Sequence, residues 1–204
     1  PLKIGSILKV FGRLLSNKKV LGYIFCNSLS YSGMFCFLSA GSIVYTGLFG
    51  VAPKHFGYFF LLNILVMMTA TSLNGKFVTK IGVEKSLRLG LTIQLIAGVW
   101  LLVCGIFHLG LWATVVGVAT YVGLVSVVSS SANAAILDMY PEVAGTANSL
   151  TGMLRFGIGS VVGMLLALFT IDTERPMVFA MAICIVVAVI SYVGLVRGEL
   201  QAHN

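Results

Sequence analysis

Six runs of apolar residues, each long enough to cross a lipid bilayer as a helix, constrain this sequence of 204 residues more than any other feature. A helix needs about 20 predominantly apolar residues to cross a hydrocarbon core about 30 Å thick. Hydrophobic residues make up 58% of the chain and charged residues only 9%, which is not the balance of a soluble domain. A membrane β-barrel would show short segments of alternating polarity instead. The sequence therefore predicts an all-α membrane protein.

The six predicted transmembrane helices cover residues 20–45, 56–73, 87–106, 111–137, 147–170 and 177–196. Residues 1–19 carry five basic side chains between apolar residues at helical spacing. We expect this segment to be either a basic amphipathic helix on the cytoplasmic membrane face or a solvated linker. Residues 197–204 form a short cytoplasmic tail. Because the chain begins at Pro1 and no signal peptide precedes the first span, we expect a fragment of a longer protein.

The net charge of +7 follows from the positive-inside rule, because the basic residues lie between the spans and at the ends of the chain. Ten of them fall on the side of the two termini, and only Lys54 and Arg175 fall on the other, with Arg155 set aside as intramembrane. This distribution predicts that both termini are cytoplasmic. It does not indicate a nucleic-acid partner.

An internal repeat relates the two halves of the chain. A shift of 88 positions places the sequence PKHFG at Pro53–Gly57 on PEVAG at Pro141–Gly145, and the first three spans on the last three. Because three is odd, the second copy enters the membrane from the opposite side. The sequence therefore predicts a 3+3 inverted repeat of the kind found in each six-helix half of a major facilitator fold.

Two of the spans carry polar stripes at helical spacing. The residues concerned are Asn27, Tyr31, Met34 and Phe35 in the first span, and Ser126, Ser129, Ser130 and Asn133 in the fourth. Polar groups at membrane depth need a protein neighbour or a water-filled cavity. We expect the two stripes to face one space and to line a substrate cavity, with Ser129 and Asn133 contributed by the fourth span. The alternative interpretation is ordinary helix packing.

Arg155 and Asp138 are the two residues of opposite charge that could meet at membrane depth. Pro141 and Gly145 mark a reversal between the spans that carry them. An unpaired arginine at the bilayer centre costs about 3 kcal/mol on insertion scales, so we expect an intramembrane ion pair. The pair could be a static fastener, or Arg155 could exchange Asp138 for an acid outside this chain or for an anionic substrate as a cavity opens.

No catalytic residue, metal site or cofactor site is predicted from the sequence. The three histidines, His55, His108 and His203, fall in predicted connections or the tail without a nearby carboxylate, and the four cysteines lie singly inside spans. An enzyme is therefore not expected. Gly159 and Gly163 form a GxxxG motif that permits close helix approach, so the alternative function is a self-assembling six-helix channel or scaffold.

Residues 75–90 are predicted to form a cytoplasmic loop that either clamps a hinge or only sets topology. Within it, Gly75, Lys80, Gly82 and Lys85 resemble the second-half copy of the major facilitator loop signature, with Thr79 where the first-half copy has an acidic residue. The segments YSGMFCFLSAGSIVY, VAPKHFGYFFLLN and AGTANSLTGMLRFGIGSVVG resemble the C-terminal half of Bcr/CflA drug-efflux transporters. The resemblance covers nearly the whole chain.

This resemblance implies a proton-coupled drug antiporter of the inner membrane, with bicyclomycin-like or sulfonamide-like drugs as substrates. Such transporters have twelve helices, so the implied partners are an N-terminal six-helix half, the lipid bilayer, protons and a small-molecule drug. The proton-carrying acid of the family lies in the first helix of that other half. No residue of this chain is therefore expected to carry the coupled proton.

Overall fold

The chain folds into a helical bundle in which consecutive membrane-spanning helices are antiparallel and joined by short turns. The structure is a computed structural model that describes residues 4–169 and 172–197, without the side chains of residues 4–7 and 197. Its main helices are α1 (Ile4–Ser16), α2 (Lys18–Ser42), α3 (Pro53–Ile81), α4 (Val83–Phe107), α5 (Leu111–Met139), α6 (Ala144–Ala167) and α7 (Arg175–Ser191). π-Helical stretches continue α2 (Ile43–Leu48) and α7 (Tyr192–Arg197), and a 3-10 turn (Pro141–Val143) precedes α6. Residues 198–204 of the predicted tail, 197–204, lie outside the described residues.

Six helices in the described part of the chain, α2 to α7, are long and apolar enough to cross a membrane. Their packing follows the predicted repeat, in which α2, α3 and α4 correspond to α5, α6 and α7. The contact of α2 with α6 is matched by that of α5 with α3, and the contact of α2 with α7 by that of α5 with α4. The repeat exchanges α2 with α5 and α4 with α7. The contacts between α2 and α5 and between α4 and α7 are therefore mapped onto themselves. Pro53 opens α3 at one end of the bundle, whereas Pro141 precedes α6 at the other.

A buried polar network fastens the centre of the bundle. The hydroxyl of Ser30 on α2 donates a 2.7 Å hydrogen bond to Oε1 of Gln94 on α4, and Nε2 of Gln94 donates to the carbonyl of Tyr121 on α5 at 3.1 Å. Gln94 and Tyr121 are fully buried. Since hydrocarbon offers no hydrogen-bond partner, these groups pair with one another and fix the relative rotation of three helices.

The predicted loop at residues 75–90 is wrong, because helix α3 continues to Ile81 and α4 begins at Val83. Lysine and valine side chains do not interrupt a helix where it leaves the hydrocarbon. The reversal is confined to Gly82, whose φ of 85° and ψ of 157° belong to a region that is essentially restricted to glycine. Lys80 and Lys85 are exposed on the two sides of this turn, and Gly75 lies within α3.

Helix α1 packs against the bundle beside the turn between α5 and α6. Leu14 is buried there, whereas Leu8 is exposed. Nδ2 of Asn17 donates a 3.0 Å hydrogen bond to the hydroxyl of Tyr140, and Arg13 lies 3.6 Å from the carboxylate of Glu142. We call this end of the bundle, which also carries Lys80 and Lys85, the basic end.

Candidate functional site

Arg155 occupies the middle of α6, eleven residues after Ala144 and twelve before Ala167. At about 1.5 Å per residue, its Cα therefore lies about 17 Å from either end of the helix. A cation at this depth is costly unless protein groups replace its water. The residues around Arg155 therefore form the candidate functional site.

The guanidinium of Arg155 bridges α5, α6 and α2, and it has no acidic partner in the part of the chain that the structure describes. Its Nη1 donates a 2.6 Å hydrogen bond to Oγ of Ser129, and its carbon Cζ lies 4.8 Å from the ring centre of Tyr31 and 4.9 Å from that of Phe156. A guanidinium over an aromatic face is attracted by the negative charge of the π system. Nε of Arg155 is buried and has no hydrogen-bond partner among the described residues.

The two rings over the cation belong to an aromatic cluster with Phe35. The ring centres of Tyr31 and Phe156 are 5.5 Å apart, those of Tyr31 and Phe35 5.8 Å, and those of Phe35 and Phe156 6.4 Å. A Cβ atom added to Gly159 would lie 2.6 Å from the ring of Phe35, so this glycine makes room for the cluster. The GxxxG motif thus brings α6 close to α2 at the cluster.

A pair of amides extends the polar face toward the basic end. Nδ2 of Asn27 donates to Oδ1 of Asn133 across a distance of 3.4 Å, and Asn27 is almost completely buried. Oδ1 of Asn27 is buried without a partner in the described part of the chain. An acceptor on Asn27 and a donor on Arg155 are therefore buried beside aromatic surface, neither with a hydrogen-bond partner among the described residues.

The structure brings together Asn27, Tyr31 and Phe35 with Ser129 and Asn133, but not the other members of the two stripes. Met34 faces α3 and lines a separate cavity. Ser126 lies 2.6 Å from the hydroxyl of Thr71 on α3, and Ser130 is exposed. Consecutive residues of an α-helix are rotated by about 100° around its axis. Met34 and Phe35 therefore cannot share one narrow face. We use the term mixed face for the set Asn27, Tyr31, Phe35, Ser129, Asn133, Arg155 and Phe156.

The predicted ion pair between Arg155 and Asp138 is not formed in this structure. Asp138 is exposed, and none of the ion pairs among the described residues includes it. Asp138 follows Ser129 by nine residues, which places it about 13 Å farther along α5 and half a turn around it. A guanidinium bound to Ser129 therefore points to the wrong face of α5 to reach Asp138.

The expectation that no histidine has a nearby carboxylate is also wrong. Nδ1 of His108 lies 2.7 Å from Oε1 of Glu174, and Nη2 of Arg175 lies 2.9 Å from Nε2 of His108. Nε of Arg175 donates to the carbonyl of Gly105 at 3.0 Å. The packing of α4 against α7 brings these residues together, and the cluster joins the two helices at the end opposite the basic end.

Phe156 is the member of the mixed face that the sequence analysis missed. It follows Arg155 directly, and about half of its side chain is exposed. The periodicity of α6 gave no stripe that included it, because the helix is rich in small residues. The position of Phe156 next to Arg155 was the one indication of its role in the sequence, since aromatic rings are common partners of a buried guanidinium.

Six membrane-spanning helices in two inverted repeats have the fold class of one half of a major facilitator protein. The chain is 45% identical over 204 residues to a bicyclomycin resistance protein homolog of Haemophilus influenzae, covering 100% of this chain and 51% of that protein. It is 27% identical to the uncharacterized MFS-type transporter YdgK of Bacillus subtilis, again over 100% of the chain and 50% of that protein. No family model and no solved structure matches the chain.

The chain thus spans about half the length of the curated relatives it matches. The identity over its whole length confirms the predicted resemblance to the bicyclomycin-resistance type of major facilitator transporter and fits the predicted C-terminal half. The fold class is confirmed as well. One relative is named a resistance protein and the other an MFS-type transporter, which agrees with the prediction that the chain is not an enzyme.

Proposed function

We propose that this chain supplies the C-terminal half of a proton-coupled multidrug efflux antiporter of the inner membrane. Its partner is a second, N-terminal six-helix half, and the basic end faces the cytoplasm together with both ends of the chain. The observation that carries the proposal is the mixed face, where Arg155, held at mid-depth on Ser129 and two rings, leaves its Nε buried and unpaired.

The chemistry of the mixed face suits moderately polar drugs. Tyr31, Phe35 and Phe156 offer ring surface, which binds many apolar shapes with little directional requirement. Oδ1 of Asn27 would accept a hydrogen bond and Nε of Arg155 would donate one once a substrate displaces the side chains that bury these two atoms. A substrate with an aromatic or apolar body and a few hydrogen-bonding groups meets both requirements. Bicyclomycin-like and sulfonamide-like drugs belong to this class.

Arg155 would also couple drug transport to proton binding. Ser129 is a neutral partner, so a carboxylate brought near from the other half would attract the guanidinium more strongly than the hydroxyl does. Protonation of that carboxylate would return Arg155 to Ser129. The protonation state of that carboxylate would thus set the position of the side chain that also contacts the drug.

Transport by the intact protein that contains these residues tests the proposal. Reconstituted into liposomes, it should accumulate bicyclomycin when a pH gradient is imposed, and a protonophore should abolish the accumulation. Drug uptake that does not depend on the pH gradient would favour a channel. No uptake at all would favour a scaffold.

Accessibility of the mixed face is tested by cysteine labelling in the same protein. Cysteine in place of Tyr31 or Asn133 should react with a water-soluble maleimide, and bicyclomycin should slow the reaction. Ile183, which is exposed on α7, provides the matched control in apolar surroundings. Inert cysteines at both test positions, with normal labelling in the turns, would identify the mixed face as a packing surface only.

A further inference from the structure

Two apolar grooves run along the outside of the bundle, one in each repeat. The first, of about 570 Å³, lies between α6 and α7, which both pack more closely against α2 than against each other. The second, of about 300 Å³, lies between α3 and α4, and α5 forms its floor. We refer to these spaces as the α6–α7 groove and the α3–α4 groove.

The internal repeat relates the two grooves residue by residue. On the first wall, the shift of 88 positions places three lining residues of α3 on three of α6: Asn74, Phe77 and Ile81 on Val162, Leu165 and Phe169. On the second wall, a shift of 90 positions places four lining residues of α4 on four of α7: Ser86, Leu89, Gly90 and Ile93 on Pro176, Phe179, Ala180 and Ile183. Because the repeat is inverted, the α3–α4 groove lies toward the basic end and the α6–α7 groove toward the opposite end.

Each groove is about as long as one leaflet of a bilayer is deep. One wall of the α3–α4 groove extends from Ala70 to Ile81, and one wall of the α6–α7 groove extends from Pro176 to Val187. At about 1.5 Å per residue, either wall is about 17 Å long, whereas half of a hydrocarbon core measures about 15 Å. Large apolar side chains are exposed along both grooves, namely Leu73, Leu89, Leu165 and Ile183. An acyl chain of the adjacent leaflet therefore matches each groove in length and polarity.

A cation lies at the outer end of each groove, at the same position of the repeat. Lys85 directly precedes Ser86 in the wall of the α3–α4 groove, and the shift of 90 positions places it on Arg175, which lines the α6–α7 groove. Both cations are exposed, and none of the ion pairs among the described residues includes either. Arg175 bonds to Gly105 through Nε and to His108 through Nη2. These two bonds hold the guanidinium in place and leave the N–H groups of Nη1 for a ligand.

An apolar groove that ends at a cation suits a phospholipid. Lys85 and Arg175 lie where their helices begin, which is the depth of the headgroups. Arginine and lysine both bind phosphate, arginine through its planar donors and lysine as a point charge. Basic pockets between membrane helices are known to bind anionic headgroups. The other half of the transporter is the competing occupant, but α4 and α7, which form one wall of each groove, contribute no residue to the mixed face.

We propose that each repeat binds one phospholipid of the adjacent leaflet, with an acyl chain in its groove. The phosphate pairs with Lys85 in the first repeat and with Arg175 in the second. This inference goes beyond the proposed transport function, because binding at these outer surfaces requires neither a drug nor a pH gradient.

The experiment uses the intact protein that contains these residues, purified in a nonionic detergent. The two probes are phosphatidylglycerol and the diacylglycerol that lacks its phosphate, and both carry the same acyl chains with a photoreactive diazirine. After illumination, peptide mass spectrometry measures the labelling of Ile183 and of Leu89, each divided by that of Ile96, which is exposed on α4 and lines neither groove. Both ratios should be about fivefold higher with phosphatidylglycerol, the worth of one basic side chain at an anionic membrane surface.

Two variants that each remove one charge are matched controls for each other. Arg175→Gln should abolish the excess labelling of Ile183 and leave that of Leu89, and Lys85→Gln should do the reverse. Equal ratios for the two probes at either position in the wild type would overturn the proposal, as would a variant that lowers both positions alike. Labelling no higher than that of Ile96 would overturn it too, because the grooves would then be covered by the other half of the protein.

A failure of Arg175→Gln to fold would leave the decision to Lys85→Gln. The side chain of Lys85 is exposed and takes part in no ion pair among the described residues, so its replacement should not disturb the fold. Loss of the excess at Leu89 alone supports the proposal, and an unchanged excess refutes it.

Discussion

Arg155 donates a 2.6 Å hydrogen bond to the hydroxyl of Ser129, so a cation at mid-depth of the bundle is held by a neutral oxygen. The cost of an arginine at the centre of a membrane helix is about 3 kcal/mol on insertion scales. A hydrogen bond from a charged group contributes about 1.5–3 kcal/mol and a desolvated cation–π contact up to about 2 kcal/mol. Ser129, Tyr31 and Phe156 therefore suffice to hold Arg155 in the bundle without a carboxylate.

Replacing Arg155 should show that its charge alone is not sufficient for transport. Arg155→Lys keeps a charge but loses the planar guanidinium that reaches Ser129 and two rings at once. We expect both Arg155→Lys and Arg155→Gln to lower drug efflux by the intact protein about tenfold or more, equivalent to at least about 1.4 kcal/mol. Membrane abundance should stay near wild type. Normal efflux in both variants would contradict a role for Arg155 in transport.

Double-mutant cycles should identify the partner of Arg155. Ser129→Ala leaves Nη1 without its acceptor and should lower the free energy of unfolding by about 1–3 kcal/mol. In the Arg155→Gln background the same change should matter much less, because the donor is gone. Asp138→Asn should show no coupling to Arg155→Gln in thermal unfolding. Rescue of Arg155→Gln by Asp138→Asn would show instead that the originally predicted pair forms in another state of the protein.

Two glycines near the basic end should respond in opposite ways to alanine. Gly82→Ala places a Cβ at φ 85° and ψ 157° and should destabilise the protein by about 1–3 kcal/mol. Gly75 lies inside α3, and a Cβ there meets nothing within 4 Å, so Gly75→Ala should stabilise the helix by up to about 1 kcal/mol. Melting temperatures of the purified variants measure both. Equal shifts of the same sign would show that Gly82 does not need its positive φ.

The close approach of α6 to α2 should depend on Gly159 and not on its neighbour Gly157. A leucine at Gly159 would collide with the ring of Phe35, where even a Cβ would lie 2.6 Å away. Overpacking of this kind typically costs about 1–3 kcal/mol, and it would also displace the aromatic cluster. Gly157 has nothing within 4 Å of an added Cβ, so Gly157→Leu is the matched control. Comparable melting temperatures for the two variants would rule out this packing.

Gln94 should contribute to stability through its two buried hydrogen bonds. Gln94→Leu leaves the hydroxyl of Ser30 and the carbonyl of Tyr121 without these partners. Hydrogen bonds inside membrane bundles average about 0.6 kcal/mol in double-mutant cycles, so the loss for two should be about 1 kcal/mol. Ser30→Ala combined with Gln94→Leu should cost less than the sum of the single changes. Strict additivity would show that the two side chains do not interact.

Several elements of the fold could be predicted from the sequence because they depend on local or repeated patterns. Length and polarity identified the six spans, and the matched Pro53 and Pro141 indicated the inverted repeat. The end of the second span was placed too early, since hydropathy falls at the membrane surface while the helix continues to Ile81. Hydropathy reports the solvent around a segment, whereas the helix ends where Gly82 reverses the chain.

The sequence by itself determined that Arg155 is an isolated cation within an apolar span and that α2 and α5 carry polar residues. Only the tertiary structure decided that Ser129, not Asp138, holds that cation, and that Glu174 lies beside His108. Spacing along a helix fixes which residues share a face. The rotation of that face toward a neighbouring helix depends on how side chains distant in sequence, such as Phe35 over Gly159, fill the space between the helices.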